Sequence, residues 1–277
     1  MDSIITNQIK KVQAVQLELV LEVKRICTKN NIKYFLIGGT LLGAIRHNGF
    51  IPWDDDLDIG MLRKDYSKFI ECSKEQLRSA YFLQTWNTDE CYPMPFAKIR
   101  KSGTRYVEKT SSKANQHKGI FIDIFPYDNV PDYYLFRQIQ SFETYILKRL
   151  LLTKSGYELC GNKDYLKTII YTVIHLFSIA ITRNRLIKML DKRMTLYNKR
   201  NTLRVTNIGG SYGYRKESVH YEWVLKLVEV KFENEILLCP HNYHDFLSNI
   251  YGDYMKLPPE DKRYDRHKVI ELSFSDD

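Results

Sequence analysis

Residues 51–61, IPWDDDLDIGM, join a run of aspartates to the apolar residues of a buried strand, and this combination limits the possible folds most. Alternate residues of a strand face opposite sides, so Leu57 and Ile59 share one face and Asp56 and Asp58 share the other. Two such carboxylates lie about 7 Å apart along the strand, close enough to bind one hard cation such as Mg²⁺. The fold must therefore bury this strand and still give its charged face a compensating partner.

A third carboxylate, Asp123, stands in the apolar run GIFIDIFPYD, which we interpret as another strand. A buried aspartate is costly unless a metal, a partner or solvent compensates its charge. Asp56, Asp58 and Asp123 on neighbouring strands are therefore a candidate metal site. The alternative is that WDDDLD forms a solvated acidic turn and that Asp123 is a cap.

A glycine pair precedes these aspartates. The run IKYFLIGG predicts a strand over residues 32–37, and TLLGAIRHNG predicts a short helix that ends at Asn48-Gly49. Glycines that lead into a helix N-terminus let backbone N–H groups approach a phosphate. We therefore expect a phosphate-binding turn beside the carboxylates.

The remaining pattern predicts an α/β fold with a mixed sheet and flanking helices. Apolar residues at steps of three and four predict a helix over residues 4–28, and residues 63–79 are helical by pattern. Residues 133–200 turn helical and basic. A hairpin around Glu233-Asn234 and a helix in HNYHDFLSNIYG follow. His241 and His244, in that last stretch, are expected on a helix surface.

The order of these motifs resembles the nucleotidyltransferase superfold, and four blocks narrow the resemblance. They are IGGTLLGAIRHNGFIPWDDDLDIGM, FAKIRKSGTRYVE, GIFIDIFPYD and YGDYMKLPPEDKR, and they resemble the LicD/fukutin-related phosphotransferase family from about residue 32 to 263. The resemblance implies a nucleotidyltransferase-like core over residues 1–135, an inserted basic helical region over 136–205 and a C-terminal region over 206–277. We expect these three parts to form one catalytic domain, 1–277.

The resemblance also implies transfer of an alcohol phosphate from a CDP-activated donor to a cell-surface glycan, in which an acceptor hydroxyl attacks and CMP leaves. Phosphocholine from CDP-choline is the first expectation, with a teichoic-acid, capsule or lipopolysaccharide precursor as acceptor. Ribitol or glycerol phosphate is the alternative. Asp56, Asp58 and Asp123 take the family's carboxylate positions, with Asp54 as a further ligand of Mg²⁺ or Mn²⁺. Whether Asp123 acts as base or as ligand stays open.

Donor phosphates also need cations and backbone donors. The candidates in the family blocks are Gly38, Gly39, Thr40, Arg46, His47, Lys98 and Arg100. Aromatic side chains near these blocks are candidates for contacts with choline or with the base, through cation–π attraction in the first case: Trp53, Trp86 and Tyr92. Arg263 and His267 are further candidates that would close over the site from the C-terminal end.

Positive charge is concentrated in the middle of the chain, where residues 137–204 hold 14 Lys or Arg against four acids. Within that segment, residues 169–182 form an apolar run that is shorter than the roughly 20 residues needed to span a bilayer. The run is either a buried helix or an in-plane helix whose basic flanks meet anionic lipid. With scattered cysteines and no secretion signal, we expect a cytoplasmic protein, in peripheral contact with the inner face of the membrane if the second reading holds.

Other classes of function remain open. A basic segment alone would also suit a non-catalytic module that binds membrane or nucleic acid, although no nucleic-acid motif accompanies it and we expect no such partner. The same strand carboxylates would also serve nucleotidyl transfer from an NTP, which releases pyrophosphate. Metal-dependent glycosyl transfer is a further alternative, and the absence of a GxGxxG motif counts against it.

Overall fold

The computed structural model describes residues 2–157, 181–263 and 268–274, with side chains from residue 8 onward. Helices and strands alternate through the first half of the chain, and the second half adds a helical pair, a hairpin and short strands. The helices are α1 (Asp2–Asn30), α2 (Gly38–His47), α3 (Arg63–Gln76), α4 (Tyr134–Lys154), α5 (Arg183–Met194), α6 (Tyr214–Glu217), α7 (Tyr221–Leu225) and α8 (Tyr243–Tyr251). The strands are β1 (Phe35–Leu36), β2 (Asp58–Leu62), β3 (Tyr81–Gln84), β4 (Ala97–Lys101), β5 (Arg105–Glu108), β6 (Phe121–Val130), β7 (Arg204–Thr206), β8 (Ser218–His220), β9 (Leu227–Phe232), β10 (Glu235–Pro240) and β11 (Val269–Ser273).

Within the described ranges, the main sheet has the order β1-β2-β6-β4-β3, and β7 and β8 continue it from the far end of β6. Strands β2 and β6 run parallel, whereas β6 pairs antiparallel with β4 and β7. The sheet is therefore mixed, with β6 at its centre. This confirms the predicted α/β class with a mixed sheet and flanking helices.

Helix α1 covers one side of the sheet because its apolar residues recur every three or four positions. Leu19, Val23 and Ile26 are fully buried on that face. Helix α3 adds Phe69 to the same core, and α2 adds Leu41. The three helices predicted in this part of the sequence are confirmed, with α1 reaching two residues further than predicted at each end.

Helices α4 and α5 form a separate pair with a small core of their own. Leu147, Leu150 and Leu151 of α4 pack with Leu186 and Leu190 of α5. The basic middle segment is thus helical over α4 and α5, as predicted, whereas residues 195–200 form turns and bends, which corrects the prediction there. Most of the apolar run at 169–182 lies outside the described residues. Of the helices that are described, none is long and apolar enough to cross a membrane.

The strand predicted over residues 51–61 begins only at Asp58, which corrects the prediction for residues 51–57. Two side-chain amides of α1 bind the backbone of this stretch instead of a neighbouring strand. Gln13 Nε2 donates to the carbonyls of Ile51 and Asp54 at 3.2 and 2.8 Å, and Gln16 Nε2 donates to that of Asp55 at 2.6 Å. Because these carbonyls are satisfied by α1, the stretch forms an ordered loop that leads into β2.

The C-terminal part contains the predicted hairpin and helix. β9 and β10 pair antiparallel, with Phe232 opposite Glu235 and Glu233 in the left-handed region at φ 56°. α8 follows and buries Phe246. The predicted first strand, in contrast, is reduced to the two residues Phe35 and Leu36.

Candidate active site

Three charged residues form a row across the centre of the main sheet. Asp58 of β2 is in register with Asp123 of the parallel strand β6, and Asp123 is in register with Lys98 of the antiparallel strand β4. Residues in register on neighbouring strands lie about 5 Å apart and face the same side. The sheet thus brings together two of the predicted carboxylates and one predicted phosphate-binding cation.

Lys98 and Asp123 form a buried ion pair, with Nζ 2.6 Å from Oδ1. The Lys98 ammonium also lies over the ring of Phe121, 3.3 Å from its centroid. Burial lowers the pKa of Lys98 and raises that of Asp123, while each partner's charge opposes this effect on the other. Lys98 is therefore paired with Asp123 in this structure.

Asp58 is held at the start of α2. Its backbone N–H donates to Thr40 Oγ1 at 2.8 Å, and its own carbonyl accepts from the N–H of Ile37 at 3.3 Å. Gly38 has φ +55°, and a Cβ there would lie 3.3 Å from Asp58 Oδ2. At Gly39, a Cβ would lie 2.5 Å from an oxygen of Asp54. The glycine pair therefore allows two carboxylates to approach the positive end of the helix.

Negative charge accumulates around Asp58. Burial raises the pKa of Asp58 well above its ordinary value, and the charges of Asp56, Asp123 and Asp54 raise it further, in that order. Lys98 opposes this increase. Among the residues that the structure describes, no three His, Cys, Asp or Glu side chains converge closely enough to form a metal centre. The described side chains thus gather carboxylates around Asp58 without completing an ion cage.

Asp55 lies on the other side of the loop from the two cavities that Asp56 and Asp58 line. It is buried, and the Tyr106 hydroxyl donates to its Oδ2. Tyr106 packs edge to face with Phe121. Asp55 therefore has a structural role away from the charged row.

Two cavities meet at Asp56 and Asp58. The first has a volume of about 360 Å³ and is lined by Lys98, Asp123 and Arg149, among others. The second has a volume of about 580 Å³, and Trp53 and Arg46 are among its lining residues. Gly38 lines the first cavity and Gly39 the second, so the start of α2 divides them.

The sequence prediction missed one wall that both cavities share. Gly209 and Gly210 line the first cavity, and Ser211 and Tyr212 line both. Glu217 holds this loop, since its carboxylate accepts from the N–H of Tyr212 at 3.2 Å and from the Asn207 side chain at 3.4 Å. The glycine-rich stretch NIGGSYG was a signal for such a loop, but nothing in its local pattern connected it to the aspartates.

Several other predicted residues lie at or near the second cavity. Arg46 lines it and donates through Nη1 to the carbonyls of Tyr254 at 2.8 Å and Lys256 at 3.4 Å. His47 packs edge to face with Trp53, and burial lowers its pKa, with the charge of Arg46 adding to the effect. The Arg263 guanidinium lies 5.5 Å from the centroid of a Trp53 ring. His267 lies outside the described residues.

Three predicted contacts lie away from both cavities. The buried Arg100 donates to Gln84 Oε1 and to the carbonyl of Gly119, each at 2.6 Å. Trp86 donates from its indole to the carbonyl of Pro93 at 3.2 Å. Tyr92 is fully buried and packs edge to face with Phe96. All three side chains contribute to packing in this structure.

Comparison with known proteins agrees with this arrangement. Residues 31–149 match the family description "LicD/FKTN/FKRP, nucleotidyltransferase domain". This match confirms the resemblance to the LicD/fukutin-related family drawn from the motifs.

Individual relatives show how far the similarity extends. The chain is 29% identical over 262 residues to the lipopolysaccharide cholinephosphotransferase LicD of Haemophilus influenzae, covering 94% of this chain and 96% of that protein. It is 49% identical over 49 residues to the ribitol 5-phosphate transferase FKRP of Homo sapiens, covering 18% of this chain and 9% of that protein. The first similarity covers nearly the whole length of both chains, and the second is confined to one short block.

Proposed function

We propose that this protein transfers an alcohol phosphate from a CDP-activated donor to a hydroxyl of a cell-surface glycan precursor, with release of CMP. Phosphocholine from CDP-choline is the donor group that we propose first. The observation that carries the proposal is that the carboxylates of Asp56 and Asp58 line both cavities. The similarity to a cholinephosphotransferase along 94% of the chain supports the choice of donor.

The two cavities suit an in-line displacement. In such a reaction the attacking oxygen and the leaving oxygen lie on opposite sides of the phosphorus. A donor whose diphosphate lies beside Asp56 and Asp58 would extend into one cavity, and the acceptor hydroxyl would approach through the other. Asp56 and Asp58 line both cavities, which supports placing the reacting phosphorus beside them.

A divalent cation fits the charge around Asp58. Burial raises the pKa of Asp58 most, and the repulsion from Asp56 and Asp54 that adds to this increase is what a bound cation would relieve. We propose that Asp56 and Asp58 hold Mg²⁺ or Mn²⁺, with Asp54 beside them. When bound, the ion would neutralise charge on the phosphate oxygens.

Asp123 and Lys98 are the other two charged residues in register with Asp58. The raised pKa of Asp123 favours uptake of a proton from an attacking hydroxyl, whereas its place beside Asp58 also suits a ligand. Lys98 orients Asp123 through their 2.6 Å contact and adds positive charge to the first cavity. Both assignments for Asp123 remain part of the proposal.

Four aromatic side chains of the second cavity support a choline donor: Trp53, Tyr212, Tyr251 and Tyr254. The hydroxyls of Tyr212 and Tyr251 are 2.8 Å apart, and their rings are 5.2 Å apart in an edge-to-face arrangement. Nearby carboxylates, Asp54 and Asp56, raise the pKa of both tyrosines after the larger effect of burial. Rings beside carboxylates attract a quaternary ammonium group, which has no hydrogen-bond donors of its own.

Substitution of Tyr251 tests this choice of alcohol. Tyr251→Phe keeps the ring and should keep the KM for CDP-choline within about threefold, whereas Tyr251→Leu removes the ring and should raise it about tenfold or more. The KM for CDP-glycerol should be similar in both variants. Equal KM values for CDP-choline in the two variants would exclude a cation–π role.

The activity itself is tested by CMP release. The protein should release CMP from CDP-choline in the presence of Mg²⁺ and a glycan acceptor, and excess EDTA should stop the release. Asp56→Asn should abolish CMP release. The matched control is Asp55→Asn, which removes a carboxylate one residue away that faces Tyr106, and this variant should still release CMP. Release of pyrophosphate from CTP, with no CMP from any CDP-alcohol, would favour nucleotidyl transfer instead.

A further inference from the structure

The outward face of α4 is apolar. Six large side chains of its first three turns are exposed to solvent: Tyr134, Leu135, Phe136, Ile139, Phe142 and Tyr145. Leu135 and Phe142 are each 67% exposed. Phe136 lies four residues before Gln140, on the stripe of the helix that is buried further along, so we call the other five residues the outer face of α4. A helix that met only water on this side would carry polar residues there, and an apolar patch of this kind marks an interaction surface.

The fold already uses the opposite face of the same helix. Gln140, Thr144, Leu147 and Leu151 are buried, and Gln140 Nε2 donates to the carbonyl of Arg193 in α5 at 2.8 Å. In an α-helix, residues 140, 144, 147 and 151 share one stripe, and residues 135, 138, 142, 145 and 149 lie on the opposite side. The core therefore accounts for one stripe of α4, and the outer face is left without a structural role in the described residues.

The charge around this face favours an anionic partner. Residues 133–154 and 183–204, which contain α4 and α5, hold twelve Lys or Arg against two acids. Arg185, Lys188 and Lys192 of α5 are exposed. Aromatic residues with basic neighbours are typical of helices that lie in the headgroup region of a membrane. We propose that the outer face of α4 binds the surface of a membrane that contains anionic lipid.

The outer face of α4 lies close to the first cavity of the active site. Arg149 and Leu152, near the end of α4, line the first cavity. The Arg149 guanidinium lies 5.2 Å from the ring centroid of Tyr145, which belongs to the outer face. A membrane bound to α4 would therefore lie beside the first cavity, where an acceptor carried by a lipid could reach it. The membrane contact is independent of the proposed transfer reaction.

Vesicle sedimentation with the full chain tests the proposal. The protein should bind vesicles of phosphatidylcholine and phosphatidylglycerol, and binding should weaken with added salt because its electrostatic part is screened. The double variant Leu135→Glu/Phe142→Glu should reduce the bound fraction at least tenfold. The matched control Ile236→Glu/Ile270→Glu changes two exposed apolar residues of β10 and β11 and should bind like the wild type. Circular dichroism checks that both double variants are folded.

Two results would overturn the proposal. One is equal vesicle binding by the wild type and the Leu135→Glu/Phe142→Glu variant. The other is an absence of binding to anionic vesicles, together with a wild-type oligomer in light scattering that the same variant converts to a monomer. That second result would make the outer face a contact between copies of the chain. Neither result depends on whether CMP release is observed.

Discussion

Glu217, which holds the loop shared by the two cavities, should make stability depend on pH. The side chain is 4% exposed, and burial raises its pKa from 4.5 to about 7. The N–H of Tyr212 and the charge of Lys148 lower this pKa, but by less than burial raises it. The folded protein therefore binds this proton more tightly than the unfolded chain does.

The sign and the size of the effect follow from this difference. Below about pH 4.5 Glu217 is protonated in both the folded and the unfolded state, and its full contribution to stability is present. This contribution is lost as pH rises to about 7 and beyond. At about 1.4 kcal/mol per pKa unit, an increase from 4.5 to about 7 corresponds to about 3 kcal/mol. The E217Q variant keeps the shape and an acceptor for Tyr212 but cannot ionise. The free energy of unfolding of the wild type should thus fall by about 3 kcal/mol relative to E217Q between about pH 4.5 and pH 8.

Urea unfolding of the two proteins, followed by circular dichroism across this pH range, measures the difference directly. Titrations of groups that do not interact with Glu217 cancel in the comparison, whereas that of Lys148 is linked to Glu217 and belongs to the measured difference. Parallel stability curves would refute the assignment, because they would mean that Glu217 titrates alike in the folded and unfolded states. A difference that grows in the opposite direction would mean that the folded protein favours the ionised carboxylate.

Three further substitutions test the carboxylate site and its glycines. Asp58→Asn should reduce CMP release about 100-fold or more; since it removes one of several like charges, urea unfolding should show no loss of stability. Gly39→Ala places a methyl group 2.5 Å from the present position of an Asp54 side-chain oxygen, so release should fall while the free energy of unfolding changes by less than about 1 kcal/mol. Gly43→Ala is the contrasting case, because its methyl group would meet the backbone carbonyl of Gly49; it should lower the free energy of unfolding by about 1–3 kcal/mol, as measured in urea. Equal destabilisation by the two alanine substitutions would contradict this reading of the packing.

Local sequence was sufficient for features that repeat over a few residues. The period of apolar residues predicted α1, the pattern of residues 63–79 predicted α3, and the Asn48-Gly49 stop predicted the end of α2. The turn at Glu233-Asn234 predicted the hairpin. These predictions held because side-chain direction within one helix or strand depends on that element alone.

Non-local contacts changed two predictions. The loop at 51–57 resembles a strand in sequence, but Gln13 and Gln16 of α1 bind its carbonyls. In the same way, Arg100 alternates in phase with Lys98, yet its guanidinium binds Gln84 and the carbonyl of Gly119 in this structure. Partners so distant along the chain leave no local pattern.

The sequence by itself determined which residues could carry the chemistry: aspartates in apolar strands, and a glycine pair before a helix. Only the tertiary structure decided their partners. The parallel register of β2 and β6 sets Asp58 beside Asp123, and the antiparallel register of β4 adds Lys98. The fold also brings the loop held by Glu217 against the same aspartates. The physical reason is that strand register and loop position follow from packing across the whole core, whereas a sequence pattern records only the direction of each side chain within its own element.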